Sequence, residues 1–162
     1  MSSMTNASAS LPSQFKIVGS SKYEKNLAET VQILQDQTRP PFYNKKPRDE
    51  DELKAVIHAI CRCAIDPFVD RERSGARVAG KECKFDFSLF KDRDALEAKL
   101  ITENHRANTT VAEILEDIEA FRNSQFSNLI FLIYDSIGDI SDQAAFKRDL
   151  EKSSIYLVIV KH

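Results

Sequence analysis

The stretch Lys84 to Leu100, KFDFSLFKDRDALEAKL, decides how this chain folds. Its first half alternates Phe85, Phe87 and Leu89 with Lys84, Asp86 and Ser88. A period of two predicts a half-buried strand. Lys91-Asp92-Arg93-Asp94 is all charge and suits a solvated turn. The second half alternates again, with Leu96, Ala98 and Leu100 against Glu97 and Lys99. If the two strands pair as a hairpin, Asp86, Glu97 and Lys99 project to one side of the sheet, since side chains at i and i+2 share a face. Two carboxylates beside one ammonium can form a site for a hard divalent cation, which takes oxygen ligands at about 2.0–2.1 Å when it is Mg²⁺. The same pattern also describes an ordinary solvated face of a hairpin, and spacing alone does not separate the two.

Upstream, Leu53, Val56, Ile57, Ile60, Cys61 and Ala64 recur at i, i+3, i+4, i+7, i+8 and i+11, predicting an amphipathic helix over 50–64. Asp49, with Glu52 three residues on, is its start signal. His58 borders the apolar stripe and has no chelating partner at helical spacing. Tyr23, Leu27, Val31 and Leu34 predict an earlier helix over 22–37, ended by Pro40-Pro41. Between the helices Lys45, Lys46 and Arg48 cluster in a connector that is either a solvated loop or a phosphate-contacting one. Residues 67–72 read as a short strand, and 73–82 as a loop carrying Arg73, Arg77 and Lys81.

Downstream, Thr110-x-x-Glu113 resembles a capping box opening a helix over 110–123. NLIFLIY at 128–134 and IYLVIV at 155–160 are nearly unbroken apolar runs, as strands covered on both faces require. Ser141 is placed to cap a helix over 142–150. A hairpin followed by crossover helices implies an α/β fold with a mixed sheet flanked by helices. No glycine-rich phosphate loop and no GxSxG elbow occurs.

The 162 residues suffice for one domain with a real core, and 42% hydrophobic with 30% charged residues fits the globular class. Residues 1–21 are expected to form a disordered or extended tail before a single domain at 22–162, with an extended piece at 15–20. The net charge of −2 supplies no global positive field, so any nucleic-acid contact must rest on a local patch. The three cysteines, Cys61, Cys63 and Cys83, lack zinc spacing and predict free thiols in a reducing cytoplasm. No apolar run approaches a membrane span, and the N-terminus has neither the basic nor the apolar region of a secretory leader.

With these segments in order, the chain resembles the PD-(D/E)xK nuclease superfamily, whose core runs αβββαβ, and within it the DpnII/MboI-type restriction-endonuclease-like domain. DEDEL at 49–53, AGKECKFDF at 79–87, LEAKL at 96–100, ILEDIEAFR at 114–122 and NLIFLIYDSIGDISD at 128–142 carry the resemblance, which covers about residues 42–160. Cys83-Lys84 and Ser136 depart from that group's usual Ser-Arg and Pro, and neither removes a catalytic group. The resemblance implies a restriction-endonuclease-like fold with an added N-terminal helix. It implies Asp86, Glu97 and the Ala98 carbonyl as ligands of Mg²⁺ or Mn²⁺, with Glu50 or Glu52 completing the acidic cluster. Lys99 would position or activate water and stabilise developing charge. Nucleic acid, expected to be DNA, would be held by Lys45, Lys46, Arg48, Arg71, Arg73, Arg77 and Lys81. The implied activity is restriction- or defence-type endonucleolytic hydrolysis, with a homodimer through the N-terminal helix as one way to supply target recognition. The alternative is a catalytically silent module that keeps the fold and binds a protein or nucleic-acid partner.

Overall fold

A computed structural model describes residues 25–162. In chain order these form α1 (Leu27–Gln37), α2 (Glu50–Ile60), β1 (Asp70–Val78), β2 (Lys81–Leu89), β3 (Asp94–Ile101), α3 (Ala107–Arg122), β4 (Asn128–Asp135), α4 (Gln143–Leu150) and β5 (Ile155–Lys161). A 3-10 turn lies at Pro40–Phe42 and a π turn at Cys61–Ile65. The expected tail, the extended piece at 15–20 and residues 22–24 of the helix expected at 22–37 lie outside the described residues, and that helix begins later than expected, at Leu27 after the Asn26 cap.

The five strands form one sheet in the order β1-β2-β3-β4-β5. The pairs β1/β2 and β2/β3 are antiparallel, and β3/β4 and β4/β5 are parallel. This is the expected mixed sheet. The apolar run of β4 explains the layering. Ile130, Leu132 and Tyr134 pack with Leu34 of α1 and with Leu53 and Ile57 of α2. Leu129, Phe131 and Ile133 pack with Ile114 and Ile118 of α3 and with Leu150 of α4. Each fully buried side chain of this size contributes about 1.5–3 kcal/mol. Leu27, Val31 and Leu34 of α1 lie against the core of the protomer itself, so the apolar stripe of the helix expected to mediate a homodimer is already covered.

β5 is an edge strand, and side chains cover its free backbone groups. Gln35 Nε2 donates to the Ile159 carbonyl at 3.1 Å. The Leu157 amide donates to Glu151 Oε1 at 2.9 Å. Both contacts blunt an edge that would otherwise template further pairing.

Several local expectations need correction. Residues 73–82 are a hairpin rather than a loop: Val78 pairs with Lys81 across Ala79 and Gly80, whose φ angles are +48° and +81°. Positive φ at both central residues is what a two-residue primed turn demands. The π turn at Cys61–Ile65 ends α2 at Ile60, four residues before the apolar period runs out. α3 begins at Ala107 rather than Thr110. Its first amide is capped from a distance, by Asp139 Oδ2 at 2.7 Å, while the Thr110 hydroxyl donates to the Arg106 carbonyl. Asp142 rather than Ser141 caps α4, accepting from the Ala145 amide at 2.9 Å. Within β2, Phe87 and Leu89 join the α1/α2 layer but Phe85 joins the α3/α4 layer, so the strict alternation fails at Asp86. That break is where the candidate site forms.

Candidate active site at the fork between β2 and β3

The β2/β3 ladder pairs Leu89 with Asp94, Ser88 with Ala95 and Phe87 with Leu96, and there it ends. Beyond that point the strands part, and side chains take up the backbone groups the ladder leaves. The Asp86 amide donates to Glu97 Oε2 at 3.0 Å, and the Ala98 amide donates to Asp86 Oδ2 at 2.9 Å. Asp86 and Glu97 are therefore interlocked across the fork, each carboxylate bonded to the other strand's main chain.

Two ammonium groups meet this pair. Lys99 Nζ lies 3.2 Å from Glu97 Oε1, 2.8 Å from Asp117 Oδ2 and 3.9 Å from Glu113 Oε2. The Asp117 oxygen is buried against the Lys99 ammonium at that distance. Lys54 Nζ of α2 lies 2.8 Å from Asp86 Oδ1. Glu97 and Lys99 are each only 8% exposed, which rules out the solvated hairpin face for this pair.

Burial dominates the electrostatics. Loss of water around Glu97, with the Asp86 charge beside it, pushes its carboxyl up to about 8 against the opposing pull of Lys99. Burial disfavours the Lys99 ammonium too, but the charges of Glu97 and Asp117 and their contacts outweigh it and hold the group protonated. Lys54 is likewise shifted up: burial opposes its charge, and the hydrogen bond to Asp86 with the fields of Asp86, Glu50 and Glu97 prevails. Burial raises the carboxyls of Glu50 and Asp117.

The two α2 carboxylates expected near the site separate. Glu50 lies in the fields of Lys54, Lys99 and Asp86. Glu52 accepts from the Arg48 amide at 2.6 Å and from its guanidinium at 3.3 Å, so it serves the start of α2 instead. His105 Nε2 sits 3.2 Å from Glu113 Oε2. His58 stacks on Phe87 with ring centres 6.0 Å apart.

Lys45, Lys46, Arg48, Arg71, Arg73, Arg77 and Lys81 are all exposed. They form two groups, one on the connector before α2 and one on the β1/β2 hairpin. Arg73 pairs with Asp92 at 3.2 Å. A hollow of about 410 Å³ on that hairpin is lined by Arg71, Arg73 and Lys84 together with Asp70, Glu72 and Glu82, so its charge is mixed.

Sequence reasoning missed Lys54, Glu113 and Asp117. A signal was present: Glu50 and Lys54 on α2, and Glu113 and Asp117 on α3, stand four residues apart and share a helix face. Which faces turn toward the fork is a tertiary fact that no single helix records.

In donor chemistry the fork suits a hard cation: two carboxylates and a following backbone carbonyl, all oxygen donors. Among the described residues no third His, Cys, Asp or Glu completes a cluster with them. Any fit therefore rests on Asp86, Glu97 and the Ala98 carbonyl, with Glu50 in the field of Asp86 and Asp117 in that of Glu97.

A mixed sheet with two antiparallel pairs leading into two parallel ones, and helices on both faces, has the architecture of the restriction-endonuclease-like α/β class. The family is narrower still. Residues 25–161 match the DpnII-MboI model, described as REase_DpnII-MboI, and the chain belongs to that restriction-endonuclease family. No curated protein and no solved structure matches it. Membership implies a nuclease, a hydrolase with DNA as its substrate. No helix among the described residues is long and apolar enough to cross a membrane.

Proposed function

We propose that this chain is a Mg²⁺- or Mn²⁺-dependent endonuclease that hydrolyses phosphodiester bonds of DNA in a restriction or defence role, in the cytoplasm. Residues 22–162 would act as its single nuclease domain. The observation that carries this reading is the interlocked pair Asp86 and Glu97 at the strand fork, with the buried Lys99 ammonium on Glu97.

In this reading Asp86, Glu97 and the Ala98 carbonyl hold the cation, and Glu50 stands by. When bound, a divalent cation supplies charge neutralisation at the phosphoryl group and a lowered pKa for water. The chain's own groups do the rest. Lys99, held between Glu97 and Asp117, would donate hydrogen bonds to the phosphoryl oxygens or position the attacking water. Asp117 and Glu113 fix its direction from α3. The exposed lysines and arginines of the connector and the β1/β2 hairpin contact phosphates and set register without reading sequence.

A specific observation favours the silent binding module as a second reading: among the described residues Lys54 pairs with Asp86, and Lys99 with Glu97 and Asp117, without any cation. One assay separates the readings. Wild type and Lys99→Ala are incubated with plasmid DNA, single-stranded DNA and RNA, in Mg²⁺ or in EDTA. The enzyme reading expects DNA cleavage that EDTA abolishes and that falls by about 10²–10³-fold in the variant, the loss typical of removing one preorganised donor. Binding of DNA without cleavage of any substrate would favour the module.

A further inference from the structure

The metal reading of the fork leaves Lys54 without a role, and its geometry gives it one. We infer that Lys54 is a built-in counter-ion, resting on Asp86 until a divalent cation displaces it, and that it thereby sets the cation affinity of the site. The inference rests on the proposal that Asp86 is a metal ligand.

Asp86 has one oxygen free of the backbone. Oδ2 accepts from the Ala98 amide, and Oδ1 faces the Lys54 ammonium at 2.8 Å. A cation binding through that open oxygen must take the place the ammonium holds. The Lys54 side chain is only 23% exposed, so solvent screens this contact less than it would a surface pair. Its stem is carried on a fixed frame, since Asp49 caps α2 and the adjacent Leu53 is fully buried.

Lys99 is a poor candidate for the same exchange. It is held by Glu97 and Asp117, with Glu113 near, whereas among the described residues Lys54 has one ion-pair partner within contact distance. Glu50 lies one turn before Lys54 on α2 and already contributes to its field, so a displaced ammonium has a second carboxylate to turn to. A monovalent group that leaves without unfolding the site is thus exchanged for a divalent one at the same oxygen.

The test is calorimetric titration of Mn²⁺ into the protein without nucleic acid, with thermal melts in EDTA and in Mn²⁺. Lys54→Gln removes the competing charge, Lys54→Arg retains it, and Lys152→Gln removes one exposed charge elsewhere. The expected result is Mn²⁺ binding tightened by on the order of tenfold in Lys54→Gln, equal to about 1.4 kcal/mol. Lys152→Gln should stay within about twofold of wild type, and Lys54→Arg should bind no tighter than wild type. Lys54→Gln should also melt lower in EDTA and gain more from Mn²⁺ than wild type does. Binding by Lys54→Gln where wild type shows none would support the same account. Unchanged or weaker binding in Lys54→Gln, or equal tightening in Lys54→Arg, would overturn it while leaving the metal reading standing. Absence of Mn²⁺ binding in all four proteins would overturn both.

Discussion

Lys99 is the residue whose environment constrains the chemistry most. An ammonium 8% exposed is tolerable only with its partners in place. Replacing it by methionine strands Glu97 and Asp117 and should lower stability by about 3 kcal/mol, readable by urea denaturation in EDTA. Glu97 adds a pH signature. Its carboxyl is raised from 4.5 to about 8, so the folded protein binds a proton more tightly than the unfolded chain does. Stability from this group is fully present below about pH 4.5 and is lost as pH rises through about 8. The metal-free protein should therefore show a melting temperature that declines across that window, and Glu97→Gln should flatten the decline; identical slopes would refute the assignment. Asp86, Glu97 and Lys99 were legible as neighbours from the hairpin spacing, but the side-chain-to-backbone links that join Asp86 to β3 where the ladder has ended were not. The sign of the Lys99 shift was not, because Asp117 reaches it from a helix more than a dozen residues downstream.

The fork is the element that makes the site, and it depends on strain and close packing on either side. Next to it, β1 bulges between Ser74 and Ala76. A Cβ added to Gly75 there would lie 2.7 Å from the ring of buried Phe85, which itself packs edge-on against Phe126 at 5.5 Å. Gly75→Ala should cost about 2 kcal/mol, measured by chemical denaturation, and should loosen β2 just before Asp86. At the other end, the β2/β3 turn holds Phe90, Lys91 and Asp92 at φ of +52°, +53° and +64°. The Phe90 amide is pinned by Asp66 Oδ2 at 2.7 Å, and the Ser88 hydroxyl donates to Asp92 Oδ1 at 2.6 Å. Lys91 is exposed, so Lys91→Gly should relieve strain and raise stability by about 0.5–1 kcal/mol. The strands β4 and β5 and the helices announced themselves through period and apolar runs. Of β1 only the start was legible, within the strand expected at 67–72; its continuation over 73–78 was not, because exposed charged residues there leave no apolar alternation to read. The switch of Phe85 to the opposite layer could not be read either, since alternation within one strand carries no record of where its neighbour departs.

At the scale of the whole molecule, a net charge of −2 confines any attraction for DNA to the exposed lysines and arginines of the connector and the β1/β2 hairpin. DNA affinity should therefore fall steeply with salt, and Arg77→Ala should reduce the slope of log K against log salt by about 0.9 if that side chain meets one phosphate. An unchanged slope would remove Arg77 from the interface. The fold class and the family were readable from five short segments in order, since a mixed sheet covered on both faces imposes that sequence of patterns. Recognition of a particular DNA site was not, since it depends on side chains presented on loops and hairpins whose orientation the periodicities do not encode. The central claim, that the β2/β3 fork holds a divalent cation, is tested most directly by crystals grown with Mn²⁺ and an anomalous difference map. The expected result is a peak bridged by the Asp86 and Glu97 carboxylates and the Ala98 carbonyl, with Lys54 turned away from Asp86. A map with no peak there, and with Asp86 still bound to Lys54 at millimolar Mn²⁺, would contradict the account.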